Sequence, residues 1–204
     1  LDIQAHIDFF VREFDLPVEK FIRIFVGADS TIFYPREIKK SSSRFIVHFH
    51  GHYIPLQGVE YIIQAAKVLE NESISFNLIG RGQTFEENKS LAKRLKLTNV
   101  NFVDSVAYDK LPAYMAQADV CLGIFGDSPK TNLVVPNKVY EALAMGKLVI
   151  TADTPAIREL LTQEENVFLC PKANPESLAE KILLAKNQPA IAQKAALNGR
   201  RLFE

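Results

Sequence analysis

Short apolar runs near residues 44–50, 75–79, 100–103, 119–123, 148–151 and 166–169 alternate with windows of helical period. This alternation restricts the fold more than any other feature of the chain. The helical windows fall near 58–70, 84–96, 109–117, 136–145 and 155–161, and two more near 175–186 and 189–203 follow the last run. Runs apolar at nearly every position suit strands covered on both faces, and strands separated by helices pair in parallel. The expectation is an α/β domain with a doubly wound, Rossmann-like parallel sheet over residues 44–204. Residues 1–43 differ in kind, with a helical stretch, an IRIFVGAD run that reads as a strand, a turn containing FYP and a polar KKSSS linker. They read as the tail of a preceding domain.

Composition then removes whole classes of function. Lys and Arg total 24 and Asp and Glu total 24, so the net charge is zero and no electrostatic case exists for nucleic acid. Cys121 and Cys170 sit inside apolar runs, DVCLGIF and NVFLC, which argues for reduced, buried thiols and a cytoplasmic setting. No apolar run approaches the roughly 20 residues that span a bilayer, and no signal-peptide pattern opens the chain. The start at Leu1, without methionine, reads as a domain excised from a longer protein. His48, His50 and His52 alternate along the first run and so share a strand face, but no carboxylate or cysteine follows nearby to complete a ligand set. His48 and His50 read as packed strand histidines, and no metal site is expected.

In an open parallel sheet the ligand crevice lies beyond the carboxyl ends of the strands, so the loops there carry the functional expectation. The richest segment is VPNKVYEALAMGKLVIT, residues 135–151. A helix opening near Pro136 presents free N–H groups and a positive dipole end at Asn137 and Lys138, suited to a diphosphate. Lys138 and Glu141 are three residues apart and Asn137 and Glu141 four, so they share a helix face, which also fits a surface Lys138–Glu141 ion pair on an ordinary helix. Gly51 allows a turn after the first run, and Gly80 and Gly82 allow close backbone approach to a ligand or simply a tight turn. Arg81 beside them reads equally as a cation for a phosphate or as a solvated loop residue. The GDSPKTNLVVPNK loop places Thr131, Asn132 and Leu133 where they can present N–H groups or a hydroxyl to a donor, or act as a lid.

These segments together resemble the C-terminal, donor-binding half of the family 4 retaining glycosyltransferases, which have the GT-B fold. The match runs from about residue 20 to the end. Within the family run EPFGLVxLEAMAxGxPVVAT, Glu141, Ala142, Ala144, Gly146, Val149, Ile150 and Thr151 match the second half, whereas the first glutamate falls on Leu133. HFHGHYIPLQG stands where the family has GRLxxxKG, with His52 and Gln57 at the positions of its arginine and lysine. NLIGRGQTF and NVNFVDSVAYDKL resemble the next two loops, with Val106 at the position that lines the nucleobase and Asp104 replacing a glycine. The resemblance implies that Glu141 holds the donor ribose, that Asn137, Lys138, Gly51, His52, Gln57, Gly80 and Arg81 surround the diphosphate, and that no catalytic residue is assigned in this half. Lys138 then supplies the cation that His52 and Gln57 do not.

It implies a nucleotide-diphosphate sugar as substrate, neither cofactor nor metal, and transfer with retention to a glycan or lipid-linked acceptor held by an N-terminal domain. The isolated half is expected to be inactive, and the full-length protein to work in the cytoplasm or at the inner face of a membrane as a peripheral protein. Two other readings stay open: a non-catalytic nucleotide-sugar-binding subunit and a nucleotide-sugar epimerase of the same fold.

Overall fold

A computed structural model describes residues 1–38 and 43–204. Most of the KKSSS run therefore lies outside the described residues. Six strands form one sheet: β1 (Phe45–His50), β2 (Ile74–Ile79), β3 (Val100–Val103), β4 (Val120–Leu122), β5 (Leu148–Ala152) and β6 (Phe168–Cys170). Their order is β3-β2-β1-β4-β5-β6 and every pairing is parallel. The six strands expected over residues 44–204 are all present, with ends that differ by one or two residues from the apolar runs.

The helices are α1 (Gln4–Phe14), α2 (Val59–Val68), α3 (Phe85–Arg94), α4 (Leu111–Gln117), α5 (Asn137–Ala144), α6 (Pro155–Arg158), α7 (Pro175–Asn187) and α8 (Pro189–Phe203). Alternation along the strands divides the interior into two cores. Val47, Phe49, Phe76 and Ile150 face α2, α3 and α7, whereas Ile46, Cys121, Val149 and Leu169 face α4, α5 and α6. Both cysteines are free and buried, and burial pushes each thiol up to about 12.

The strand order reverses between β1 and β4, which pair directly through Val47–Val120 and His48–Cys121. The polypeptide leaves these two neighbours toward opposite flanks of the sheet, opening a crevice above their carboxyl ends. At their other ends, the Asp119 carboxylate accepts the Ile46 N–H at 2.8 Å and ties the two strand starts together.

The IRIFVGAD run forms no strand. Its apolar side chains Ile22, Ile24, Phe25 and Val26 are exposed, so they lack the sheet contacts that would hold a strand. The first residues nevertheless pack on the sheet domain, burying Ile3, Ile7 and Phe33. Glu159, which follows α6, anchors them: its two carboxylate oxygens accept the N–H groups of Gln4 and Ala5, each at 2.7 Å. Those N–H groups open α1 and have no partner within it, so a distant residue caps the helix.

Candidate functional site

A cleft of about 590 Å³ opens above the β1/β4 switch point. Its walls come from the loop after β1, the loops after β2 and β3, and the first turn of α5. Of the sequence-expected residues, Gly51, His52, Gln57, Gly80, Arg81, Val106, Asn137, Lys138 and Glu141 line it. Thr131, Asn132 and Leu133 do not. They form a 3₁₀ turn before α5, where Thr131 is fully buried and its hydroxyl shares a 3.0 Å hydrogen bond with Ser128. The turn spends that hydroxyl on closing its own loop.

Helix α5 begins at Asn137, with Pro136 in the capping position and no side chain accepting its first N–H groups. Those groups sit at the cleft wall with the positive end of the helix dipole. Every residue of α5 after Asn137 is buried, including Lys138 and Glu141, whose exposures are 7% and 4%. The two are therefore no surface ion pair, and each takes partners from elsewhere. The Lys138 ammonium donates to Gln57 Oε1 and lies 4.0 Å from the centroid of the Phe49 ring. Burial pulls this lysine down from 10.5 to about 7, with the Glu141 charge opposing the shift.

Gln57 and Lys138 thus occupy one corner, where the resemblance anticipated a lysine at position 57. Gly51 makes this corner possible, because a Cβ there would lie 2.7 Å from the Lys138 Nζ, and its φ of 152° is one that side chains rarely adopt. Gly80 has a different reason for being glycine from the one sequence suggests. A Cβ on it would stand 2.1 Å from the Gly51 carbonyl oxygen, so the loops after β1 and β2 touch backbone to backbone at the cleft floor.

Glu141 meets two partners that sequence reading missed. Its Oε2 lies 2.7 Å from His50 Nε2, and its Oε1 accepts the Tyr108 hydroxyl at 3.1 Å. His50 Nδ1 in turn lies 2.9 Å from His48 Nε2. The histidine spacing was visible as one strand face, but the carboxylate that completes the chain comes from α5, 91 residues later. No group of histidines, cysteines and carboxylates suited to a metal ion occurs among the described residues.

Arg81 stands exposed at the rim, where its Nε and Nη2 each donate to one carboxylate oxygen of Asp104. Asp104 is held down to about 2 by that pair and by the Ser105 N–H. Among the described residues, the one permanent cation lining the cleft therefore has its charge countered at the rim. His52 is exposed nearby, and Val106 contributes an apolar wall.

A cleft at the switch point of a doubly wound parallel sheet, walled by a helix N-terminus, is where α/β domains of this class hold their ligands. The chain belongs to the glycosyl transferases group 1 family, whose model matches residues 43–187. It is 27% identical over 172 residues to an uncharacterized glycosyltransferase of Haemophilus influenzae, covering 82% of this chain and 46% of that protein. It is 31% identical over 109 residues to the Escherichia coli putative colanic acid biosynthesis glycosyl transferase WcaI, covering 53% of this chain and 26% of that protein. The chain spans less than half the length of these curated relatives.

Among solved structures, HepE from Anabaena in complex with UDP-glucose superposes with a TM-score of 0.84 at 21% identity, covering 99% of this chain and 57% of that chain. The C-terminal domain of LpcC, a group 1 family protein from Francisella tularensis, gives 0.74 at 20% identity over 86% of this chain and 96% of that one. The shared fold is that of the GT-B glycosyltransferases. No helix among the described residues is long and apolar enough to cross a membrane.

Proposed function

We propose that this chain is the donor-binding half of a retaining, family 4 glycosyltransferase that moves a hexosyl group from a nucleotide-diphosphate sugar to a glycan or lipid-linked acceptor. The observation that carries the reading is the convergence of the open N-terminus of α5, buried Lys138 and buried Glu141 on one switch-point cleft. Glu141 accepts hydrogen bonds from the ribose diol, and Val106 with Ile79 and Leu111 offers apolar surface to the base. Lys138, Asn137 and the first turn of α5 face the diphosphate, and they stabilise the charge that grows on it as the glycosidic bond breaks.

Gln57 and His52 leave the loop after β1 without a permanent cation, and the placement of the Lys138 ammonium against Gln57 supports a relocation of that charge onto α5. The acceptor is held by an N-terminal half outside this chain, so the fragment alone binds donor and transfers little. In this reading the nucleotide sugar is a substrate, and neither a resident cofactor nor a metal ion is invoked. The full-length protein works in the cytoplasm, with peripheral access to a membrane where its acceptor is lipid-linked.

Calorimetric titration with uridine, guanosine and adenosine diphosphates and then their sugars tests the reading. The bound ligand of HepE makes the uridine series the first to try. Saturable binding of one nucleotide, weakened about tenfold or more by Glu141→Ala without loss of the folded state, is the expected result. Unchanged affinity in that variant removes Glu141 from the site.

A further inference from the structure

His50 is the last residue of β1, and strand alternation turns it, with His48, toward the face that α5 covers. Both of its ring nitrogens are committed, Nε2 to Glu141 at 2.7 Å and Nδ1 to His48 Nε2 at 2.9 Å. With both rings neutral, two proton arrangements satisfy these contacts. In one, Glu141 is ionised, His50 donates through Nε2–H, and His48 donates through Nε2–H to the bare Nδ1 of His50. In the other, every bond reverses and Glu141 must be a neutral acid. The far end of the chain separates them, because His48 Nδ1 is buried and has no partner.

The reversed arrangement would put an N–H on that nitrogen and bury an orphaned donor, beside a carboxyl stripped of its charge. The first leaves only an unused acceptor there. Burial lowers the proton affinity of both rings, so His50 donates as a neutral group. It fixes the Glu141 carboxylate without cancelling its charge, and Tyr108 supplies the other oxygen with one donor at 3.1 Å. A carboxylate accepts about four hydrogen bonds, so lone pairs remain for a ligand that brings two hydroxyls.

We infer that His50, itself oriented by His48, is the positioning residue that holds Glu141 for a vicinal diol and so sets the preference of the site for a ribonucleotide over its 2′,3′-dideoxy counterpart. The inference rests on the donor-site reading above, and it concerns how the carboxylate is aimed.

The test compares the affinities of uridine diphosphate and 2′,3′-dideoxyuridine diphosphate, or of the guanosine or adenosine pair if one of those binds better, for the wild-type chain, His50→Phe and His50→Gln. The wild type should prefer the ribonucleotide about tenfold or more, from two hydrogen bonds to a charged acceptor. His50→Phe should bring the ratio close to one while the dideoxy affinity changes by less than about twofold. His50→Gln offers an amide N–H in the place of Nε2 and should restore most of the preference. A preserved ratio in His50→Phe, or an equal fall for both ligands, overturns the inference.

A wild-type ratio of one overturns the inference through the diol contact, leaving nucleotide binding intact, whereas no binding of any nucleotide overturns the donor-site reading itself. ¹⁵N spectra of the wild-type imidazoles need no variant to fold. Two neutral rings protonated at Nε2 near pH 7 support the arrangement, and a proton on Nδ1 of His50 refutes it.

Discussion

Lys138 should make stability and nucleotide binding pull in opposite directions, and the effect has a size. The folded chain brings this ammonium down from 10.5 to about 7, so between those limits the unfolded chain binds more protons than the folded one. The cost of burying the charged form is fully present below about pH 7 and is relieved as the pH rises toward the unfolded value. At about 1.4 kcal/mol per pH unit, the full cost is on the order of 5 kcal/mol.

Methionine at this position keeps much of the stem that packs beside Phe49 and removes the charge, although it leaves Gln57 Oε1 without its donor. Urea unfolding of wild type and Lys138→Met at about pH 6.5 and about pH 9 reads the residue with the two histidines that feel its charge, His48 and His50, since titrating groups away from it cancel in the difference. The variant should be the more stable at the lower pH, and its advantage should shrink by about 2–3 kcal/mol at the higher one. In the same variant nucleotide affinity should collapse. For the wild type, binding above neutrality should take up a proton, seen as heats that depend on the ionisation enthalpy of the buffer. A stability difference that does not change with pH would refute the reasoning, because it would mean that the lysine keeps its proton in the fold.

Other sites give simpler outcomes. Asp104→Ala should free Arg81 to reach toward the cleft and tighten nucleotide binding several-fold at low salt, an effect that salt titration should erase. Gly80→Ala places a Cβ against the Gly51 carbonyl in a backbone conformation that alanine resists, so it should cost about 2 kcal/mol or more in thermal unfolding and weaken nucleotide binding as the cleft floor shifts. Glu159→Ala should cost about 1–2 kcal/mol and raise hydrogen exchange over Gln4–Phe14, leaving nucleotide affinity unchanged.

The order of strands and helices along the chain was legible because each has a local cause. Runs such as LVITA are apolar at nearly every position, and windows such as VEYIIQAAKV carry a helical stripe. The IRIFVGAD run has the same composition but forms no strand, because composition does not supply the neighbour that a strand must pair with. The candidate site was legible where backbone chemistry marks it: Pro136 at the start of α5, glycine at positions 51 and 80, and Lys138 and Glu141 on one helix turn.

What those residues touch depends on contacts between distant segments. Sequence spacing permits a Lys138–Glu141 surface pair, whereas the fold buries both and gives Lys138 a partner 81 residues away and Glu141 one 91 residues away. Gly80 is required by the Gly51 carbonyl, and Glu159 earns its place by capping a helix that begins 155 residues earlier. Local periodicity is a property of neighbours in the chain, so the sequence by itself determined the α/β alternation and the loops that could matter. Burial, the lowered lysine and the His48–His50–Glu141 chain arise only when the parallel sheet brings β1 and α5 together, and the tertiary structure alone decided them.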